Sequence, residues 1–307
     1  MKSPGVHTTV TAQKNKAKRR RKPEWFLIKT PLGQNYSEVR NLLSALDLHS
    51  VCQEANCPNR AECFGDKTAT FLILGDICTR GCTFCNVKQG RPAEVDNNEP
   101  ERVARAVNKL GLEYVVVTSV TRDDLPDGGA SIFAETIRKI RKVNPGCKVE
   151  ILIPDFRGDT DALKTVLEAD PDVLNHNIET IERLYGEVRK GADYRRSLEL
   201  IGRVRRWKPE MMTKSGLMVG LGETPEEIKT TMRDLVQAGC QLLTIGQYLA
   251  PSEKHHAVDR YYTPGEFSDL KKSAMELGFL GVVSGPLIRS SYRASKMFQG
   301  SETKSRD

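Results

Sequence analysis

From about residue 71 onward, short runs of apolar and β-branched residues alternate with stretches whose apolar positions recur every three to four residues. Six runs read as strands: FLILGD (71–76), YVVVTSV (114–120), KVEILIPDF (148–156), DVLNHNIE (172–179), KSGLMVG (214–220) and QLLTIGQY (241–248). Between them the spacing predicts helices near 100–110, 131–143, 159–169, 180–207 and 225–238. Glu99-Pro100, Asp159-Thr160 and Thr224-Pro225 carry helix-start signals. A helix at 264–277 leads into a last extended piece, GFLGVVSGP (278–286).

Strands that alternate with helices imply a parallel sheet with right-handed crossovers. The length suits an α/β fold built as a partial TIM-type barrel of about six βα units better than a doubly wound sheet. In such a fold the functional groups sit at the C-terminal ends of strands. Cys78, Thr118 to Asp124, Asp155, Asn175 to Glu179, Gly220 to Thr224 and Gln247 all fall there, so the chemistry is expected on one face. Four regions follow: a basic mobile arm (1–23), an N-terminal extension (24–70), the barrel (71–285) and a C-terminal extension (286–307).

The net charge of +7 changes little once it is located. Lys14, Lys16, Lys18, Arg19, Arg20, Arg21 and Lys22 form a run without an acid, and the rest of the chain is formally neutral. The run reads as a solvated tail, with docking of an acidic protein partner or of nucleic acid as the alternative. It has no interleaved aromatics for base stacking, so no nucleic-acid partner is expected. No stretch approaches the ~20 apolar residues of a membrane span, and no apolar signal core opens the chain. A cytoplasmic enzyme without a membrane partner is the expectation.

Six of the eight cysteines lie between positions 52 and 85. In an intracellular chain that crowding points to metal or redox chemistry and not to disulfides. Cys78, Cys82 and Cys85 stand as C-x3-C-x2-C in GDICTRGCTFCNV, just beyond the first strand. Three thiolates can hold three irons of a [4Fe–4S] cluster and leave the fourth iron open. A zinc site completed by His49 or an upstream cysteine is the alternative. Upstream, Cys52, Cys57 and Cys63 form C-x4-C-x5-C in CQEANCPNRAEC, an irregular segment again one ligand short, with a zinc knuckle completed by His49 or completion of the first cluster as the alternatives. Cys147 and Cys240 read as ordinary buried thiols.

The C-x3-C-x2-C triplet, with Phe84 before its last cysteine, resembles the radical S-adenosylmethionine superfamily. The upstream triplet and a C-terminal RSSYRA (289–294) narrow the resemblance to a sulfur-inserting branch of it, from about residue 24 to 298. That resemblance implies two [4Fe–4S] clusters. Cys78, Cys82 and Cys85 hold the one that binds S-adenosyl-L-methionine; Cys52, Cys57 and Cys63 with Ser290 or Ser291, of which Ser291 is preferred, hold the auxiliary one. Around the cofactor it implies Thr118, Ser119, Gly220 and Gly222. Asn175, Asn177 and Glu179 alternate along their strand and are expected to point one way, toward the cofactor or the substrate. The resemblance also implies a 5′-deoxyadenosyl radical that removes hydrogen from C6 and then C8 of an octanoyl chain on a lipoyl carrier domain, with sulfur drawn from the auxiliary cluster. An electron donor and a cluster-repair protein are further partners of unspecified identity.

Unactivated C–H bonds are beyond any side-chain base, so no catalytic residue is expected besides the cluster ligands. His176 in NHNIET is as well explained by a satisfied hydrogen-bonding role as by catalysis. Arg189, placed with the cofactor residues, and Tyr194 and Arg195 stand open between a carboxylate or acidic-partner contact and a solvated face, and His255 and His256 receive no proton-transfer role.

Overall fold

The computed structural model describes residues 21–26 and 33–302. The strands are β1 (His49–Ser50), β2 (Thr70–Ile73), β3 (Ile77–Cys78), β4 (Lys88–Gln89), β5 (Tyr114–Ser119), β6 (Lys148–Leu152), β7 (Val173–Asn175), β8 (Met212–Val219), β9 (Leu242–Gln247) and β10 (Gly281–Gly285). The helices are α1 (Gln34–Ala45), α2 (Val51–Glu54), α3 (Arg60–Gly65), α4 (Glu99–Leu110), α5 (Ala130–Val143), α6 (Thr160–Glu168), α7 (Tyr185–Val188), α8 (Tyr194–Trp207), α9 (Pro225–Gln237), α10 (Pro264–Glu276) and α11 (Ala294–Glu302).

One eight-stranded sheet runs β1-β2-β5-β6-β7-β8-β9-β10. Its neighbours are parallel throughout except at β1, which pairs antiparallel with β2. The result is a mixed α/β fold whose strands follow one another as in a partial barrel. Of the extensions, the N-terminal one contributes an edge strand, which the apolar pattern does not predict. GFLGVVSGP supplies a further parallel strand.

The helices form where the apolar stripe and the caps agree. Val103 and Val107 of α4 and Phe133, Ile137 and Ile140 of α5 are buried with Val115, Val117 and Ile151 of the sheet in one core cluster. Thr224 and Glu227 close a capping box on α9, as Thr263 and Glu266 do on α10. The expected helix over 180–207 is broken instead. A 3-10 turn and α7 end near Arg189, Gly191 takes a φ of +79°, and Asp193 restarts the helix by accepting the Arg196 N–H. Helical spacing survives such a break, so the apolar pattern alone does not reveal it.

Most of the basic arm lies outside the described residues; Arg21 and Lys22 are exposed. Among the described residues no helix is long and apolar enough to cross a membrane.

Candidate active site

The first cysteine triplet sits on a loop pinned from several sides. Leu74 and Gly75 adopt φ of +68° and +89° where β2 ends, and β3 pairs with β4 to close the loop at its base. The Thr79 N–H donates to the Thr121 carbonyl (3.0 Å), and the Thr83 N–H to that of Val188 (2.9 Å). The segment after β9 reaches over the far side: the His256 N–H donates to the Thr83 carbonyl (2.9 Å), and His255 Nε2 lies 3.1 Å from that of Cys85. Between the first two cysteines, the buried Arg80 forks onto Asp123 (2.7 and 2.9 Å) and reaches Asp155 (2.6 Å). Arg196 takes the other Asp155 oxygen at 2.8 Å. Burial alone would raise the Asp155 carboxyl, but the hydrogen bond and charge of Arg80, with Arg196, bring it down to about 2.

The second triplet is assembled from both ends of the chain. Ser50 caps α2, which carries Cys52; Asn56, at φ +47°, turns the chain to Cys57; and Cys63 lies on α3. The segment after β10 crosses this region in a turn closed by the Tyr292 N–H on the Arg289 carbonyl (3.0 Å), with Ser290 and Ser291 at its centre. The two hydroxyls face different partners. Thr70 donates to Ser291 Oγ at 2.7 Å, and its position beside the Cys52 thiol joins that serine to the upstream cysteines. Ser290 is instead engaged with Asn175 (3.1 Å) and Asn177 (3.0 Å). Asn59 holds the Leu287 carbonyl (2.6 Å), and Glu62 receives Tyr292 and Arg293 (2.8 Å each). Gly246 in β9 lets the crossing segment lie flat, since a Cβ there would collide with the Ile288 carbonyl.

Cys78, Cys82 and Cys85 line one cavity of about 790 Å³ together with Cys52, Cys57 and Ser291. Cys63 is not on its wall but lies close behind it; burial first, and then the nearness of Cys52 and Cys57, raises its thiol. Burial pushes the thiols of Cys52 and Cys82 up to about 11 and those of Cys63 and Cys85 up to about 12. At neutral pH they stay protonated until a cation draws off the protons. Among the described residues no three Cys, His, Asp or Glu side chains converge on a point that a single ion could take. His49 faces Glu54 at 3.6 Å and does not line the cavity. Soft thiols set around a void suit a multi-iron cluster, whose ligands attach to different corners.

Thr118, Ser119, Asn177, Glu179 and Arg189 line the same cavity. Ser119 Oγ is buried without a hydrogen-bond partner, the state expected of a group that awaits a ligand. Thr118 is already engaged, donating to the Leu152 carbonyl at 2.8 Å. Glu179 sits at a φ of +64°, and burial raises its carboxyl against the opposing pull of Arg189 and Asn177. Asn175, Gly220 and Gly222 are not on the wall. Gly220, at φ +97°, leaves room for the Gln247 side chain and the Arg260 carbonyl.

His176 is buried, with Nδ1 2.9 Å from the Ile153 carbonyl and Nε2 3.1 Å from Ser197 Oγ, and burial pushes it down to about 3, so it stays neutral. Tyr194 donates to Asp234 (2.7 Å) and Arg195 to Glu182 (2.9 Å), both away from the cavity. Thr70, Asn59, Arg80 and Gly246 were not anticipated. A glycine inside the strand run QLLTIGQY is the kind of signal that marks close backbone approach, whereas Thr70 carries none.

Residues 72–235 match the Radical SAM superfamily, and residues 6–57 match the N-terminal domain of lipoyl synthase of that family. A lipoyl synthase of Rubrobacter xylanophilus is 57% identical over 273 residues, which is 89% of this chain and 85% of that one. The chain belongs to the lipoyl synthase family. A second lipoyl synthase, of Caldicellulosiruptor saccharolyticus, is 56% identical over 276 residues, 90% of this chain and 97% of the other. Among solved structures, HydG, a maturase of the [FeFe]-hydrogenase, aligns at a TM-score of 0.55 and 12% identity over 76% of this chain and 55% of that one. Streptococcus suis SuiB bound to precursor peptide SuiA aligns at 0.53 and 11% identity over 71% and 48%. These two show the fold alone.

Proposed function

We propose that the chain is a sulfurtransferase that inserts two sulfur atoms, at C6 and C8, into an octanoyl chain in amide linkage to a lysine of a lipoyl carrier domain. The observation that carries this reading is that the first triplet, Cys52 and Cys57 of the second, and Ser291 open on one cavity, with Cys63 just behind its wall. Cys78, Cys82 and Cys85 would hold one [4Fe–4S] cluster and leave an iron for S-adenosyl-L-methionine; Cys52, Cys57, Cys63 and Ser291 would hold the second. When bound, these groups supply a radical able to take hydrogen from unactivated C–H bonds, and the sulfur that replaces it.

The protein's own part is to bind, orient and shelter. The free Ser119 hydroxyl, Glu179 and the Arg189 guanidinium offer polar contacts for the amino acid portion of the cofactor, and Asn177 orients Glu179 by donating to it at 2.9 Å. Thr118 stands on that wall, already bonded to the Leu152 carbonyl, and Asn175 supports it from beside, while Gly220 and Gly222 shape the turn that leaves β8. The fold acts as a partial barrel over 71–285, with 24–70 and 286–307 as the extensions that build the second cluster and 1–23 as a basic arm. An electron donor and a cluster-repair protein complete the partners.

Anaerobic incubation of reconstituted protein with S-adenosylmethionine, a reductant and an octanoyl-lysine peptide tests this by mass analysis. The expected product carries two added sulfurs, from protein loaded with about eight irons and eight sulfides. An octanoyl peptide returned unchanged by protein so loaded would sink the reading.

A further inference from the structure

Beneath the cavity, the sheet interior holds charges that the proposed chemistry leaves unused. Lys214 of β8 and Glu150 of β6 are 1% and 0% exposed, and Lys214 Nζ lies 2.8 and 3.0 Å from the two carboxylate oxygens. Tyr114 of β5 donates to one of those oxygens (2.6 Å), and Asn175 Nδ2 of β7 to the other (3.0 Å). Asn175 and Lys214 are register partners, so their side chains share a face of the sheet. The same Asn175 Nδ2 donates its second hydrogen to Ser290 Oγ (3.1 Å), which donates to Asn177 Oδ1 (3.0 Å); Asn177 in turn donates to Glu179 (2.9 Å).

The polarity of this file is dictated from its buried end. Asn175 could present either its NH2 or its carbonyl oxygen to Glu150, but the oxygen would face a carboxylate. The amide is therefore locked with Nδ2 toward Glu150 and Ser290, at the cost of leaving Asn175 Oδ1 buried and unpartnered. A buried ion pair is weak support for stability, because apolar residues of similar volume often replace one without loss. What apolar replacements could not do is orient the amide.

We propose that Glu150 and Lys214 are positioning residues for the serine turn. Their charge pair fixes the Asn175 amide, the amide seats Ser290, and Ser290 sets the turn in which the next residue, Ser291, meets Thr70 and the cavity. This rests on the proposed role of Ser291, yet it concerns the seating of the turn with or without iron.

The test compares full-length protein, with and without reconstituted iron, as the parent and as the paired Glu150→Leu/Lys214→Met variant. Amide exchange across residues 287–293 is the readout, beside the midpoint of thermal unfolding. Expected is an unchanged midpoint with exchange across the turn faster by about ten-fold or more, as for loss of a hydrogen bond anchored on a charge. Parent-like exchange at an unchanged midpoint would reduce the charge pair to a stability element and overturn the proposal. Should the paired variant fail to fold, Ser290→Ala reads the same link: exchange faster in the turn alone supports it, and parent-like exchange overturns it. Because exchange is read without turnover, a failure of sulfur insertion in the parent would count against the proposed function and not against this proposal.

Discussion

The two cysteine triplets are held in opposite ways. Cys78, Cys82 and Cys85 ride on a loop set into the chain's own core, with Arg80 buried against two aspartates and the segment after β9 bonded across the top. Cys52, Cys57 and Cys63 meet Ser291 only where residues near 290 return to them, through contacts that span more than two hundred positions of sequence. Those long-range contacts are single hydrogen bonds and a half-exposed ion pair, Arg293 to Glu62. A half-exposed pair of that kind contributes ~1 kcal/mol or less. The lesson is one of division: the first triplet is clamped by buried charge, and the second, which under the proposed function would give up its sulfur, is closed by separable contacts.

Cysteine replacements break the comparison most sharply. Cys82→Ala is expected to abolish cleavage of S-adenosylmethionine, whereas Cys57→Ala should leave cleavage and stop sulfur insertion. Chromatography of the cleaved cofactor beside mass analysis of the peptide separates the two. Lipoyl product from Cys57→Ala would overturn the assignment of the second triplet as sulfur source.

Next in size, Arg80→Met removes the buried guanidinium that Asp123 and Asp155 share, leaving Asp155 to Arg196 and Asp123 to the exposed Arg157. Breaking a buried pair from one side costs about 3–5 kcal/mol, measurable by denaturant unfolding. A loss below about 1 kcal/mol would mean that the loop does not depend on its clamp.

The same clamp sets a pH window. Asp155 is depressed in the folded protein, from 3.8 to about 2, so its contribution is fully present above the unfolded value and fades as pH falls through the folded one. Its size is on the order of 2 kcal/mol. Unfolding followed from pH 5 to pH 2 should show that loss in the parent and not in Asp155→Asn, measured against its own value at pH 5. Equal slopes for the two proteins would contradict the depressed carboxyl.

The smallest effect belongs to Thr70→Val, which removes the hydroxyl between Cys52 and Ser291. It should cost about 1 kcal/mol in unfolding. Exchange should quicken around Ser291 and stay unchanged in the loop of Cys78 to Cys85; faster exchange in that loop would mean that the two regions are mechanically coupled.

What could be read directly from the chain is what is local. The βα alternation, the strand-end position of Cys78 and Glu179, and the cysteine spacings depend on residues a few positions apart, and a donor set three thiols wide limits what it can bind whatever surrounds it. The break at Gly191 escapes the pattern because a helix interrupted between α7 and the 14-residue α8 keeps the spacing of an unbroken one. Ser290 and Ser291 are neighbours of the same type, so no local rule separates them; only the fold, which turns one hydroxyl toward Asn175 and the other toward Thr70, assigns them different work. His176 likewise changes from candidate to structural residue once Ile153 and Ser197 are seen to hold both its nitrogens. Tertiary structure decided these points because hydrogen bonds and desolvation depend on which distant groups arrive beside a side chain, and that information is spread over the whole chain.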